Sequence, residues 1–202
     1  MDKQGKFCFL KEQYFIDFPD DKLMRNKGTV NGEKHIRPCF FAFRDNLFPI
    51  YWLIPISSKF DKYYSIYCKK VSRYGQCNTI RFGTVLGQRS VFLIQNMCPV
   101  TENYIEEFYI DPISKKYVAV DKRTEKDIIH NAKKVLQLYR QGKPIIFPDA
   151  NKIYNSLIKK EISKDPKPDL SKEHTPWNDY LIQLHHDKEK SKDFTNDKEE
   201  ER

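Results

Sequence analysis

The sequence predicts an α+β fold in which antiparallel strands carry helices and a charged tail follows, and three observations lead there. Two apolar runs, Pro38 to Phe43 and Phe48 to Ile56, flank the turn-forming Arg44-Asp45-Asn46 and read as a hairpin. Later segments repeat apolar residues at spacings of three and four, which is the mark of a helical face. From Ser163 that periodicity stops. Residues 1–162 are therefore expected to form one folded domain, and 163–202 a charged, largely disordered tail.

Taken in order, Phe7 to Leu10 and Tyr14 to Phe18 are short aromatic runs, expected as one strand or a broken pair at the sheet's edge, ended by Pro19-Asp20-Asp21. Asp21 to Glu33 holds Lys22, Arg25, Lys27, Gly28 and Gly32 with little apolar content, and is expected as a long, mobile, basic connection of the kind that often carries function. The hairpin follows. Its second run is apolar at nearly every position, so it is expected to be buried on both faces or curled into a small barrel.

Lys59 to Tyr74 places Phe60, Tyr63, Tyr64, Tyr67 and Val71 on one helical face, with Lys62, Lys69, Lys70 and Arg73 opposite, Ser57 or Ser58 as cap, and Gly75 as the stop. Packing accounts for Tyr63, Tyr67 and Tyr74, while Tyr64 is left open. Asn78 to Val85 and Ser90 to Asn96 are expected as two more strands, the second ended by Cys98-Pro99. Thr101-Glu102-Asn103 begins a short helical turn containing Tyr104, Ile105 and Phe108, and Lys116 to Val120 is a candidate last strand. Thr124-Glu125-Lys126-Asp127 resembles a capping box ahead of the Ile128, Ala132, Val135, Leu136, Tyr139 stripe, which Gly142 and Pro144 stop. Pro148-Asp149 opens a last helix through Ile153, Leu157 and Ile158.

Charge divides the chain. From Lys159 onward there are 10 basic and 12 acidic groups; the first 158 residues hold the other 26 of 36 basic and 16 of 28 acidic groups, a balance of +10. A basic folded body suggests a polyanionic partner, most often nucleic acid. Five separated cysteines, with no Cys-x-x-Cys pair, read as buried free thiols in a reducing compartment. No Cys pair has a His at ligand spacing, so neither zinc nor another metal or cofactor is expected. No signal peptide and no membrane-spanning stretch is expected, which points to a cytoplasmic protein.

In an antiparallel hairpin the start of the first strand lies beside the end of the second. His35 and Arg37 should therefore meet Ser57, Ser58 and Lys59. RNA can be cut without metal when its 2′-OH attacks the adjacent phosphorus, provided a cation meets the developing charge, a group moves protons, and hydrogen bonds hold the attack in line. Arg37 supplies the cation, His35 the proton shuttle, Ser57 and Ser58 the hydroxyls, and Lys59 a second cation. Each also has an ordinary reading: a surface histidine, an arginine ahead of a proline, a helix cap. Convergence at one hairpin end favours the chemical one. Lys22, Arg25, Lys27 and Lys34 before the hairpin, and Lys62, Lys69 and Arg73 on the helix after it, are candidates for RNA contact, with Tyr51 and Tyr64 for base stacking.

These residues carry a resemblance. Arg37 to Phe43 and Trp52 to Lys59 look like the Arg-Pro-aliphatic strand and the aliphatic-Pro-aliphatic-Thr/Ser-Ser segment of the MazF/Kid-like ribonuclease barrel. The chain more closely resembles the ToxN/AbiQ superfamily of type III toxin–antitoxin endoribonucleases, and its CptN branch. The supporting segments are F-P-D-D-K-L-M-R-N-K-G-T-V-N-G, F-G-T-V-L-G, F-L-I-Q-N-M-C-P-V-T-E-N-Y-I and K-K-V-L-Q-L-Y-R-Q-G-K-P-I-I-F-P-D.

The resemblance implies a compact, strongly bent antiparallel sheet closing into an SH3-like barrel decorated by helices. It implies a metal-independent, sequence-preferring endoribonuclease leaving 2′,3′-cyclic phosphate and 5′-OH ends, acting on cellular or phage RNA in abortive phage defence. Its partner would be a small, pseudoknot-type repeat RNA antitoxin, processed by the toxin and inhibiting it in an RNA-bridged homo-oligomer. The superfamily's Thr-Ser-Pro-Lys maps onto Ser57, Ser58 and Lys59, with Ser in place of Thr and no proline; its basic strand-entering residue maps onto Arg37. His35 rests on chemistry alone. Two other readings compete: a non-catalytic basic RNA- or DNA-binding module, and an interaction domain whose tail recruits a partner.

Overall fold

The computed structural model describes residues 3–26, 28–30 and 33–164, of which 28–30, 33–35 and 162–164 are described by their backbone. In chain order the elements are β1 (Phe7–Leu10), α1 (Glu12–Asp17), β2 (Gly28–Val30), β3 (Glu33–His35), β4 (Pro38–Arg44), β5 (Tyr51–Ser57), α2 (Phe60–Tyr74), β6 (Arg81–Val85), β7 (Gln88–Phe92), β8 (Cys98–Val100), β9 (Ile105–Phe108), α3 (Lys122–Arg140) and α4 (Ala150–Lys164).

The expected hairpin is the centre. β4 and β5 pair antiparallel, with Cys39 opposite Pro55 and Phe41 opposite Leu53. Around them the strand order is β6-β7-β5-β4-β1-β9, with β8 also on β5, giving seven antiparallel strands. The far edge of β5 changes partner along its length. Tyr51 to Leu53 pair with β8, and Ile56 and Ser57 with β7. Pro55, which has no N–H to offer a ladder, stands at the change-over, and its carbonyl accepts from the Leu93 amide at 3.1 Å. That split bends the sheet. The sheet keeps two free ends, β6 and β9, so the expected barrel does not close.

Both faces of the hairpin are covered, which explains its unbroken apolar runs. Phe40, Ala42, Trp52 and Ile54 pack with Ile128, Ala132 and Val135 of α3. The alternating Cys39, Phe41 and Leu53 pack with Tyr14 and Phe15 of α1 and Leu157 of α4. Each fully buried large side chain contributes about 1.5–3 kcal/mol. A third cluster, Ile80, Val91 and Leu93, seats α2 through Tyr63, Ile66, Tyr67 and Val71. Gly75, at φ 73°, ends α2 as expected and donates to the Val71 carbonyl.

Several expectations are corrected. Tyr14 to Phe18 is mostly helix, because Tyr14, Phe15 and Phe18 are buried together from one side of a turn, and β1 lies between β4 and β9 rather than at an edge. The Asp21 to Glu33 connection includes β2, which pairs with β3. β7 stops at Phe92, Ile94–Asn96 is a 3-10 turn, and Cys98-Pro99 belongs to a strand of its own. Ile105 to Phe108 is strand, while Lys116 to Val120 contributes only isolated bridges, Lys6 to Ala119 and Ile110 to Tyr117. Asp121, not Thr124, caps α3: its carboxylate accepts from the Arg123 and Thr124 amides at 3.0 and 2.9 Å.

Tyr74 is exposed, and so is Cys68, unlike the other four cysteines. Lys70 turns inward and donates to Thr79 Oγ1 and Gln95 Oε1 at 2.8 and 2.7 Å; burial pushes its pKa down. α4 runs to Lys164, and the remainder of the expected tail lies outside the described residues. No helix among the described residues is long and apolar enough to cross a membrane.

Candidate active site

The site is built where β5 ends and β4 begins. Continuing the Cys39–Pro55 register outward brings Arg37 level with Ser57. The Arg37 guanidinium is braced on two carbonyls: Nη1 donates to Ile56 O at 2.9 Å and Nε to Arg25 O at 3.3 Å. Its backbone amide is held by Asn26 Oδ1 at 3.1 Å. Two of five guanidinium donors are thereby engaged among the described residues, and three remain for an incoming group.

The chain leaves β5 through a tight turn. Ser57 Oγ accepts from the Lys59 amide at 3.2 Å, and the Ser58 carbonyl accepts from the Phe60 amide at 2.9 Å. Neither serine caps α2 by its side chain. Ser57 is buried and braces the turn, whereas Ser58 is exposed and its hydroxyl has no partner among the described residues. Arg37, Ser57, Ser58, Lys59 and Lys62 line one cleft of about 280 Å³, over an apolar floor that includes Met24 and Ile56. The start of α2 adds its positive end to the same place. No carboxylate among the described residues pairs with Arg37, Lys59 or Lys62. The cleft is a concentration of unneutralised donors, suited to an anion such as a phosphodiester.

The other expected residues divide. Arg25 reaches the site through its carbonyl and is exposed; Lys22, also exposed, holds Asn96 Nδ2 by its own carbonyl at 3.4 Å. Lys69 and Arg73 lie on exposed positions farther along α2, with Arg73 over the Tyr74 ring. Tyr64 is exposed on the first turns of the same helix. His35 and Lys34 are placed in β3 by their backbone, opposite Gly28 and Thr29, and their side chains lie outside the described residues, as does Lys27. Tyr51 lies apart from this cleft: it is six residues from Ser57 along an extended strand, roughly 20 Å away, with its ring against Phe41 at 4.9 Å.

Sequence reasoning missed Ser90. It lies in β7, buried, on the cleft wall, with Oγ donating to Gln88 O at 3.3 Å. Only the pairing of Ser57 with Val91 reveals it, and no local signal announces that contact.

No family model matches the sequence, and no curated protein sequence matches it. Its structure is similar to that of AbiQ, a lactococcal anti-phage endoribonuclease belonging to the type III toxin–antitoxin system, with a TM-score of 0.57 over 77% of this chain and 97% of AbiQ. The chain has an AbiQ-like fold. At 12% identity the likeness is one of backbone architecture. It agrees with the ToxN/AbiQ-like α+β fold that the motif segments imply, with the sheet left open. Nearly the whole of AbiQ is matched, and about three quarters of this chain.

Proposed function

We propose that this chain is the endoribonuclease toxin of a type III toxin–antitoxin system, cutting RNA by attack of its 2′-OH on the adjacent phosphorus. The observation that carries the reading is the Arg37–Ser57–Ser58–Lys59 cleft, open and with no carboxylate among its described lining residues, at the hairpin end of an AbiQ-like fold. In this mechanism the remaining Arg37 donors meet the non-bridging oxygens as charge builds in the pentacoordinate transition state. Because the guanidinium is already braced on carbonyls, little reorganisation is needed. Ser58 Oγ–H donates to the same phosphoryl group, Lys59 and Lys62 add cationic charge, and Ser57 fixes the turn. His35, two residues before Arg37, shuttles the proton between the 2′-OH and the leaving 5′-oxygen. These cations take the place of a metal ion, and the products are a 2′,3′-cyclic phosphate and a 5′-OH.

The RNA antitoxin binds through the basic candidates Lys22, Arg25, Lys27, Lys34, Lys62, Lys69 and Arg73, in a cytoplasmic RNA-bridged assembly. The test incubates the purified chain with the repeat RNA encoded upstream of its gene, in EDTA, and reads the ends. Cyclic phosphate and 5′-OH termini are expected, with Arg37→Ala losing cleavage while binding falls only modestly. Ordinary 3′-hydroxyls or a requirement for magnesium overturn the mechanism. A wild-type chain that binds RNA with steep salt dependence yet cuts nothing is instead a non-catalytic module.

A further inference from the structure

Beside the cleft lies a second one that the proposed chemistry does not use. It is walled by Phe60, Asp61, Gln88 and Arg89 and shares Ser58, Lys59 and Lys62 with the first, so the two are continuous. Phe60 in its wall belongs to an aromatic cluster that continues along α2. The Phe60 and Tyr64 rings lie 5.9 Å apart and within 13° of parallel, and Phe82 backs both at 5.0 and 5.9 Å. Tyr64 keeps 51% of its surface in solvent despite these contacts. The Arg89 guanidinium sits 4.2 Å from the Phe60 ring centre. The β6–β7 turn that presents it needs positive φ at both Leu86 and Gly87, 47° and 74°, the geometry of a tight two-residue hairpin turn.

The chemistry of this second cleft differs from that of the first. Asp61 in its wall repels a phosphate and accepts hydrogen bonds from amino and imino groups, while Gln88 can both donate and accept. Flat aromatic and guanidinium surfaces bind the face of an unpaired base. We infer that Phe60, Tyr64 and Arg89 form a base-stacking subsite for the unpaired nucleotide next to the scissile phosphate, with Asp61 and Gln88 reading its edge. The inference rests on RNA being the ligand of the first cleft. It adds that selection of the cleavage sequence resides in α2 and the β6–β7 turn, and that bases presenting amino or imino donors are preferred.

The experiment uses the full-length chain and short single-stranded RNAs of the upstream repeat sequence, made uncleavable by uniform 2′-fluoro substitution, with one abasic site moved along each. Fluorescence anisotropy gives Kd. For the wild type, an abasic site at one position is expected to weaken binding about 5- to 100-fold. In Tyr64→Ala and Arg89→Ala that penalty shrinks toward onefold, because the cluster and the base are then each already missing their partner. Tyr64→Phe retains the penalty. An abasic penalty equal in wild type and both alanine variants, or none at any position, overturns the subsite. Cleavage of the unmodified RNA is measured separately. A coupled penalty without cleavage leaves the subsite standing and removes the nuclease reading; cleavage without coupling does the reverse.

Discussion

At one end of the β4–β5 hairpin, Arg37 rests on the Ile56 and Arg25 carbonyls beside Ser57, Ser58 and Lys59. At the other end, Arg140 meets the Asp45 carboxylate at 3.0 Å and lies over the Tyr154 ring. The second end also has a cleft, about 560 Å³, with Arg44 and Lys133 on its walls. Both ends are concave and basic, and the far one is the larger. The difference is in how the guanidinium is held. A carbonyl orients a cation without cancelling its charge, whereas a carboxylate cancels it. Arg81 repeats the far arrangement, with Asp127 at 2.9 Å. In a chain this basic, density of Lys and Arg marks no site; what sets the near end apart is a guanidinium oriented by carbonyls beside Ser57 and Ser58.

The largest expected effect breaks the comparison at its strong end. Arg37→Ala should lower RNA cleavage by about 100-fold or more, as loss of an oriented transition-state donor does. Arg37→Lys should recover only part of it, since the charge stays and the braced fork is lost. Arg140→Ala should leave cleavage within about twofold. Single-turnover rates on one RNA compare all three; equal losses at both ends would show that bulk charge does the work.

A smaller effect is expected from Ser58→Ala, whose hydroxyl has no structural partner among the described residues. Losing a hydrogen bond to a charged group costs about 1.5–3 kcal/mol, so cleavage should fall about 10- to 100-fold with the melting temperature unchanged. Ser57→Ala should instead cost stability, because Ser57 Oγ holds the Lys59 amide in the turn. If the two variants behave alike, the division between a bracing and an acting serine is wrong.

This contrast shows how much of the molecule the sequence could disclose. The hairpin, α2 with its Gly75 stop, and the stripe of α3 were legible because local periodicity and turn chemistry encode them. The meeting of Arg37 with Ser57 and Ser58 was legible too, since antiparallel pairing across a short turn dictates it. Ser90, Arg89 and the split of β5 between β7 and β8 were not. They depend on pairings between segments dozens of residues apart, which leave no local pattern. Tyr14 to Phe18 misled because aromatic residues favour strands in general, and here packing against Tyr104 and α4 overrode that preference. Lys70 misled in the same way: its spacing placed it among solvent-facing lysines, and only Thr79 and Gln95 draw it inward.

A third variant sharpens the comparison from the weak end. Asp45→Asn removes the charge that neutralises Arg140 while keeping a side-chain oxygen for the Leu47 amide, which Asp45 Oδ1 now accepts at 3.0 Å. Arg140 is half exposed, so stability should fall by no more than about 1 kcal/mol in urea unfolding. Freed of its partner, Arg140 would resemble Arg37 in charge but not in setting, for the described residues lining its cleft include no serine pair. Cleavage should not rise. A clear gain in RNA cleavage or affinity would mean that neutralisation alone had kept the far cleft silent.

The smallest effect concerns acid. Asp17 on α1 accepts from Lys160 of α4 at 2.6 Å and from the Tyr104 hydroxyl at 2.5 Å, and these hydrogen bonds hold its pKa well below the usual carboxylate range. A depressed carboxylate stabilises the fold fully above its unfolded value, near 3.8, and the contribution drains away as pH falls from there toward the folded value. The partner Lys160 is raised above 10.5 by the same pair, so its share persists below that pH and is lost as pH climbs through the folded value. The urea midpoint should therefore decline on acidification below about pH 4, and Asp17→Asn should flatten that decline. None of these groups touches the Arg37 cleft. Loosening α1 from α4 by titration should thus lower stability while the relative cleavage rates of wild type and Asp17→Asn at neutral pH stay equal, which separates the clamp that holds the body together from the end of the hairpin that acts.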